Sequence, residues 1–553
     1  MPVQVRLEVV AEPAGPSPPF AWRREGDAFV GVAADARLQA TVRVAPDGPA
    51  SAALTFEVAW RVAAEVEREA VHLVVPGRGA AVHRDLELRP LRAPLRVDRG
   101  TPIAVLAGDL AITGEEGFLA ARAAPVRSAA GEAVEVMLVR DDAGAHPFAV
   151  YPTCLQRIPG LAEGGRVDFA ALEHKRFLGR TSRRAGERGA ARASLRAVAA
   201  PAVPLVVERW PAGARAAVVF TDHADRTDPV ALRALLDGAS VARPGAAPAG
   251  FLGHGVRLTK SFFVRARRGG LDGDPEAREL AERLRAAGSE VASHSISGGP
   301  DDREAVRAGL ATLQAFGVVT WIDHEPYTNC EAISSEGWRA EGRYGIRDLL
   351  ALAGFRWLWE AGDLGGFRAA ELVDLFSARR QDEPDPPIYP LPFDPRLWVF
   401  QSTMFYAPPA EMAAAASEAA LDRLEARRGL FVGHTYLSPS PRTTSRPEHR
   451  ARLVVREAAD GSLVLDPAFD AALARIGRRA REGRLASLTW AEAGDRLRAL
   501  GEVVVRYLPA GEARVENRGA QPLLGLTVAA PAAGELEIDG AALRGRDGAA
   551  GRA

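Results

Sequence analysis

The stretch GVRLTKSFFVRARRGGLDGDPEARELAERLRAAGSEVASHS, residues 255–295, carries two apolar runs with a helical pattern between them. GVRLTKSFFV reads as a strand. DPEARELAERLRAAG places its apolar residues at helical spacing, and SEVASHS is a second strand that ends on His294 and Ser295. Strand, helix and strand in so short a span mark a unit of parallel sheet.

The alternation continues on both sides. RAAVVFTD, VVTWIDH, FRWLWE and LFVGHTY read as strands. DPVALRALLDGAS, DDREAVRAGLATLQAFG, GIRDLLALAG and DPAFDAALARIGRRAREG read as helices, and PAEMAAAASEAALDRLEARRG as one long helix. Residues 206–500 are therefore expected to form a (β/α) domain, its parallel sheet open or closed as a barrel. Residues 1–205 have a different texture. VQVRLEVV, SAALTFEVAW, AVHLVVP and AVEVMLVRDD are short strands separated by Gly, Pro and Asp, as in an all-β sandwich. The Arg/Ala-rich segment at 183–204 reads as a helix or linker closing that domain. Strand-like runs return over 501–553. The expected fold is thus multidomain, with an N-terminal β-sandwich, a central barrel and a short C-terminal β segment.

Composition narrows the function. The 553 residues are 47% hydrophobic and 25% charged, an ordinary globular balance. The 70 basic and 71 acidic residues nearly cancel, which gives no support to nucleic-acid binding. No uncharged apolar run is long enough to span a bilayer. The start, MPVQVRLEVVAEPAG, lacks the pattern of a secretory signal, so a cytoplasmic location is expected. Two cysteines, Cys154 and Cys330, are too few for a disulfide framework or a four-cysteine zinc site. A single bridge between them stays open. Any metal must rely mainly on imidazole and carboxylate ligands.

In parallel α/β folds, ligands bind at the carboxyl ends of the strands. There, AVVF runs into Thr221, Asp222, His223, Ala224 and Asp225. SEVAS runs into His294, and VVTWI into Asp323, His324 and Glu325, with Tyr327, Asn329 and Glu331 beyond. LFVG runs into His434. Four of the ten histidines would face one mouth. Singly, each residue has a plainer role: Asp222 or Asp225 as the cap of the helix beginning near Pro229, His294 as a hydrogen-bonded core histidine, His324 and His434 as loop lining. Together they form a good ligand set for zinc or another divalent first-row ion.

Their order resembles the NodB-homology polysaccharide deacetylases, the carbohydrate esterase family 4 type. VFTDHAD stands where that family has Thr-Phe-Asp-Asp, and Lys260-Ser261-Phe262-Phe263-Val264 where it has Thr-Phe-Phe-Val. AERLRAAGSEVASHSISGG matches its helix, turn and His-Ser motif. HEPYTN stands at its Arg-Pro-Pro-Tyr and FVGHTY at its Leu-x-His. The likeness covers roughly 210–500 and departs twice: Gly298 replaces the second motif histidine, and Asp222-His223 replaces paired aspartates. The resemblance implies a metal-dependent hydrolase that removes acetyl groups from an N- or O-acetylated saccharide. Asp222 would be the general base and His434 the acid. His223 and His294 would stand at metal positions, holding a divalent metal, zinc. Asp225 and His324 are the nearest replacements for the lost ligand. Tyr327, Asn329, Glu331 and Trp359 are expected to contact the sugar, with Trp321, Trp338 and Trp357 also close. Two other readings remain open: a carbohydrate-binding barrel without metal or turnover, and a glycosidase in which Glu325, Glu331 or Glu360 partners Asp222.

Overall fold

The structure, a computed structural model, describes residues 206–363, 366–375 and 388–500 apart from 243–246, 248, 327 and 392; elsewhere it is confined to β-strands and adjoining turns. The chain divides into two compact units. One comprises Met1–Ala145, Arg180–Gly213 and Arg496–Ala553; the other comprises His146–Gly179 and Ala214–Asp495.

The first unit contains a four-stranded and an eight-stranded sheet, with antiparallel pairings. Within the Arg/Ala-rich segment, Arg188–Ala197 is a strand rather than a helix or linker; the residues from 198 to 204 lie outside the described ones. The strand pairs with Ala53–Val62 on one side and Leu110–Glu116 on the other. Ladder bonds along both edges outweigh the helix propensity of its alanines.

The second unit is a barrel. Its strands are β1 (Ala216–Asp222), β2 (Thr259–Phe262), β3 (Glu290–Ser293), β4 (Thr320–Ile322), β5 (Trp357–Asp363), β6 (Asp394–Met404) and β7 (Leu430–Thr435). Each pairs in parallel with the next, and β7 returns to β1, closing a seven-stranded ring. An eighth strand, β8 (Leu485–Ser487), pairs with the first residues of β1, whereas β2 pairs with its last two. Segment 146–179, expected with the β-sandwich, groups with the barrel. Its strand Phe148–Val150 pairs with Arg176–Leu178, and Phe148 and Val150 are buried in the barrel's apolar cluster.

Helix starts follow local chemistry. Asp-Pro pairs open α1 (Pro229–Asp237), α2 (Pro275–Ala286) and α6 (Pro467–Arg481). In each, the Asp side chain accepts a backbone N–H of the first turn and the Pro supplies a preset φ. Between them lie α3 (Arg303–Ala315), α4 (Arg347–Leu352) and α5 (Glu418–Ala426). The cap of α1 is Asp228, so neither Asp222 nor Asp225 serves that purpose. The expected long helix at 409–429 is two: Pro409–Ala415, then α5, whose N-cap Ser417 accepts from Ala420 N.

The two-residue period of a strand decides which side chains reach the barrel axis. On β1, Ala216, Val218 and Phe220 belong to the cluster that includes Phe251 of the helix Gly250–His254, with the Phe220 and Phe251 rings 5.5 Å apart. Asp222 shares that outward face. Thr221 and His223 take the inward one. The same parity brings His294, His324, Trp359 and His434 to the mouth, where their rings meet.

Candidate active site at the barrel mouth

Asp225 is the hub. One carboxylate oxygen lies 2.9 Å from His294 Nε2 and the other 3.0 Å from His324 Nε2. A carboxylate accepts only, so both imidazoles donate to it from Nε2. Burial alone would raise the Asp225 carboxyl; the charge and hydrogen bond of His294, then those of His324, overcome this and hold it well below the usual carboxylate range. His294 is fully buried, and that burial lowers its pKa. Burial also lowers His324, yet the bond and charge of Asp225 leave it raised. Asn329 supports His324 from behind, its side-chain oxygen 3.2 Å from Nδ1.

His223 completes the cluster. Its ring is 5.2 Å from His294, 4.6 Å from Trp359 and stacked 4.0 Å from His434. Burial, and then the neighbouring His434 and His294, hold its pKa well below 6.5, so the ring is neutral at pH 7. Its Nε2 is buried and has no hydrogen-bond partner. A ligand atom of His223 lies within 4.8 Å of those of Asp225 and His294; Asp225, His324 and Glu325 form a second such group. A neutral imidazole with an unused buried nitrogen, beside a carboxylate and a second imidazole, fits a divalent cation well. Phe263 packs 5.1 Å from His294 and 5.0 Å from His324, and Tyr436 lies 4.9 Å from His434.

Asp222 has a different setting from the one expected of a general base. It is completely buried, accepts from Leu437 N at 2.5 Å and Ser438 Oγ at 2.9 Å, and lies 3.2 Å from the ammonium of Lys260. Lys260, also fully buried, donates to Thr227 Oγ1 at 2.9 Å and to the carbonyl oxygens of His223 and Ser261. Burial lowers the Lys260 pKa against the pull of Asp222. The pair thus fixes the loops after β1 and β7 and leaves Asp222 no oxygen turned to the mouth. Sequence reasoning passes over Lys260; the signal for it is the register, since it pairs directly with Asp222.

The expected sugar contacts divide. Trp359 is at the mouth, between His223 and His434, with its indole N–H bonded to Ser402 Oγ at 2.9 Å. Tyr327 lies outside the described residues. Asn329 and Glu331 are fully buried and serve the scaffold instead: Asn329 Nδ2 donates to Glu331 Oε1 at 2.7 Å, and Glu331 Oε2 accepts from Asp301 N. Between them, Cys330 is disulfide-bonded; Cys154 lies outside the described residues. Asp323, directly after β4, accepts from Ile333 N and Ser334 N.

Burial pushes the Glu331 carboxyl up to about 8, despite its bond from Asn329. A folded-state pKa above the unfolded one stabilises the fold fully below the unfolded value of 4.5, and that contribution drains away as pH climbs toward 8. Glu331→Gln removes this titration. Its stability relative to wild type should therefore improve between about pH 5 and about pH 8 by a few kcal/mol. Urea midpoints across that range test this, and parallel curves for the two proteins would refute it.

No family model matches the chain, and no curated protein matches it. Solved structures that resemble it include a beta-arabinopyranosidase, 10% identical, covering 65% of this chain and 56% of its own, with a TM-score of 0.19. Alpha-N-acetylgalactosaminidase NagBb from Bifidobacterium bifidum is 11% identical, covers 86% of this chain and 88% of its own, and has a TM-score of 0.28. A glycoside hydrolase family 97 enzyme from Pseudoalteromonas sp. strain K8 is 9% identical, covers 97% and 83%, and has a TM-score of 0.25. The chain spans little more than half the length of the first. Among the described residues, no helix is long and apolar enough to cross a membrane.

Proposed function

We propose that the chain is a hydrolase of acylated saccharides whose centre is the cluster His223, Asp225, His294 and His324. The observation that carries the reading is Asp225 held between two imidazoles, next to a buried His223 nitrogen that nothing in the protein uses. Asp225, His294 and His223 would hold a divalent ion, zinc by ligand type, with His324 as the alternative third ligand. Such an ion supplies Lewis acidity for attack on an acyl carbonyl.

The protein's own groups account for the rest. Asp225 is ionised at neutral pH and, by accepting from both imidazoles, orients His294 and His324 at the centre. His434, opposite across the His223 ring, is placed to give a proton to a departing amine or hydroxyl. Trp359, Phe263 and Tyr436 wall the cluster with apolar surface and limit water. Tyr436, only partly buried, also offers a face on which a sugar ring can rest.

Glycoside hydrolysis is the second reading. Carboxylate oxygens of Asp225 and Glu325 lie within 4.8 Å of one another, near the roughly 5–5.5 Å that separates the two carboxyls of a retaining glycosidase. Of the carboxylates expected for this reading, Asp222 with Glu325, Glu331 or Glu360, all but Glu325 are buried. One assay separates the readings. Purified protein is given acetylated saccharides and a panel of chromogenic glycosides, with and without a chelator. Acetate release abolished by the chelator supports the first; chelator-insensitive glycoside cleavage, lost in Glu325→Gln, would replace it with the second.

A further inference from the structure

The wall of the mouth beside His434 continues through Tyr436 into a cationic aromatic shelf. Tyr436, 4.9 Å from His434 and 5.7 Å from His223, packs edge-on against Tyr406 at 5.4 Å. The Tyr406 hydroxyl lies 3.4 Å from His449 Nδ1, and the Arg452 guanidinium sits 5.1 Å from the Tyr406 ring centre. Arg226 follows the hub residue Asp225 directly. Its φ of 57° is a left-handed conformation that an arginine seldom adopts, and the loop holds it exposed at the rim.

The charges here are of one sign where it matters. Arg452 and Arg226 both act on the Tyr406 hydroxyl. Arg226, Arg446 and Arg452 all act on His449, with Glu448 opposing them. Among the described residues no carboxylate forms an ion pair with Arg226, Arg446 or Arg452. Elsewhere in the barrel Arg233, Arg303, Arg356, Arg479 and Arg484 are each paired with a carboxylate. Unpaired guanidiniums beside tyrosine faces form a surface for a ring that carries a negative charge.

We propose that this shelf is a binding subsite for an anionic sugar residue, bearing a carboxylate or a sulfate ester, next to the residue whose bond is hydrolysed. Arg226 and Arg452 hold the anion, the Tyr406 and Tyr436 rings stack on the sugar, and His449 adds a hydrogen bond. The proposal rests on the reading that the mouth handles a saccharide, and it selects an acidic polymer over a neutral one.

Calorimetric titration of the full chain tests it with three probes: a tetrasaccharide alternating glucuronic acid and N-acetylglucosamine, a neutral N-acetylglucosamine tetramer, and a sulfated N-acetylglucosamine tetramer. At least one anionic probe should bind about tenfold tighter than the neutral one, the scale of a charge-assisted contact. Whichever does identifies the source of the charge. Arg452→Gln and Arg226→Gln should each remove most of that preference, with melting temperatures unchanged. Equal affinity for all three probes, or a preference that survives in both variants, overturns the proposal. Acetate release is followed in parallel. Anionic preference without release would sink the hydrolase reading and leave the subsite standing, whereas release without preference would sink the subsite alone.

Discussion

Asp225→Asn should lower hydrolysis on the order of 10²–10⁴-fold, the range for losing a positioned catalytic carboxylate, while the protein stays folded. Each Asp225 oxygen accepts from one imidazole. An asparagine keeps one acceptor and turns an NH2 group toward the other histidine, so one of these bonds becomes a donor facing a donor. The negative charge is lost as well, whether it serves as ligand or as base. The side chain is about a quarter exposed and caps no helix, which is why stability should change little. Bound metal, measured by elemental analysis, should fall with turnover. Activity within a few-fold of wild type would remove Asp225 from the centre.

Asp222→Ala should have the opposite profile. It leaves the Lys260 ammonium buried without its carboxylate and frees two donors, Leu437 N and Ser438 Oγ. Breaking a buried ion pair from one side costs about 3–5 kcal/mol. Chemical denaturation should show a loss of that size, while hydrolysis per folded molecule at low temperature stays near wild type. Replacing both partners by apolar residues, Asp222→Leu with Lys260→Met, should recover part of the loss, since no buried charge remains. If Asp222→Ala kept its stability and lost its turnover, the general-base role suggested by the motif order would return.

These two residues show what the sequence made legible and what it did not. The succession of strands and helices was readable because each strand is short, apolar and followed by a strong helix start, as in Asp228-Pro229 and Asp274-Pro275. The convergence of His223, His294, His324 and His434 followed from their places at strand ends. Motif order points to Asp222 as the base, whereas strand parity sets the direction of its side chain. Asp222 follows Phe220 by two residues and so shares its outward face, while His223 and, beyond the strand, Asp225 point to the mouth. Asn329 and Glu331 looked like sugar contacts because they are polar and follow a strand. Their burial depends on the π-helical turn Ile333–Gly337 and on the loop at 297–301, which no local pattern announces. The strand Arg188–Ala197 was hidden for another reason: its partners lie more than seventy residues away in sequence, and its own composition favours a helix.

Anomalous diffraction at the zinc edge, on crystals of protein produced with added zinc, tests the central claim most directly. A single strong peak is expected within bonding distance of an Asp225 oxygen and the His294 Nε2, with His223 or His324 as the next ligand, and it should vanish in His294→Ala. A featureless map at Asp225, or a peak held by other residues while acetate is still released, would contradict it.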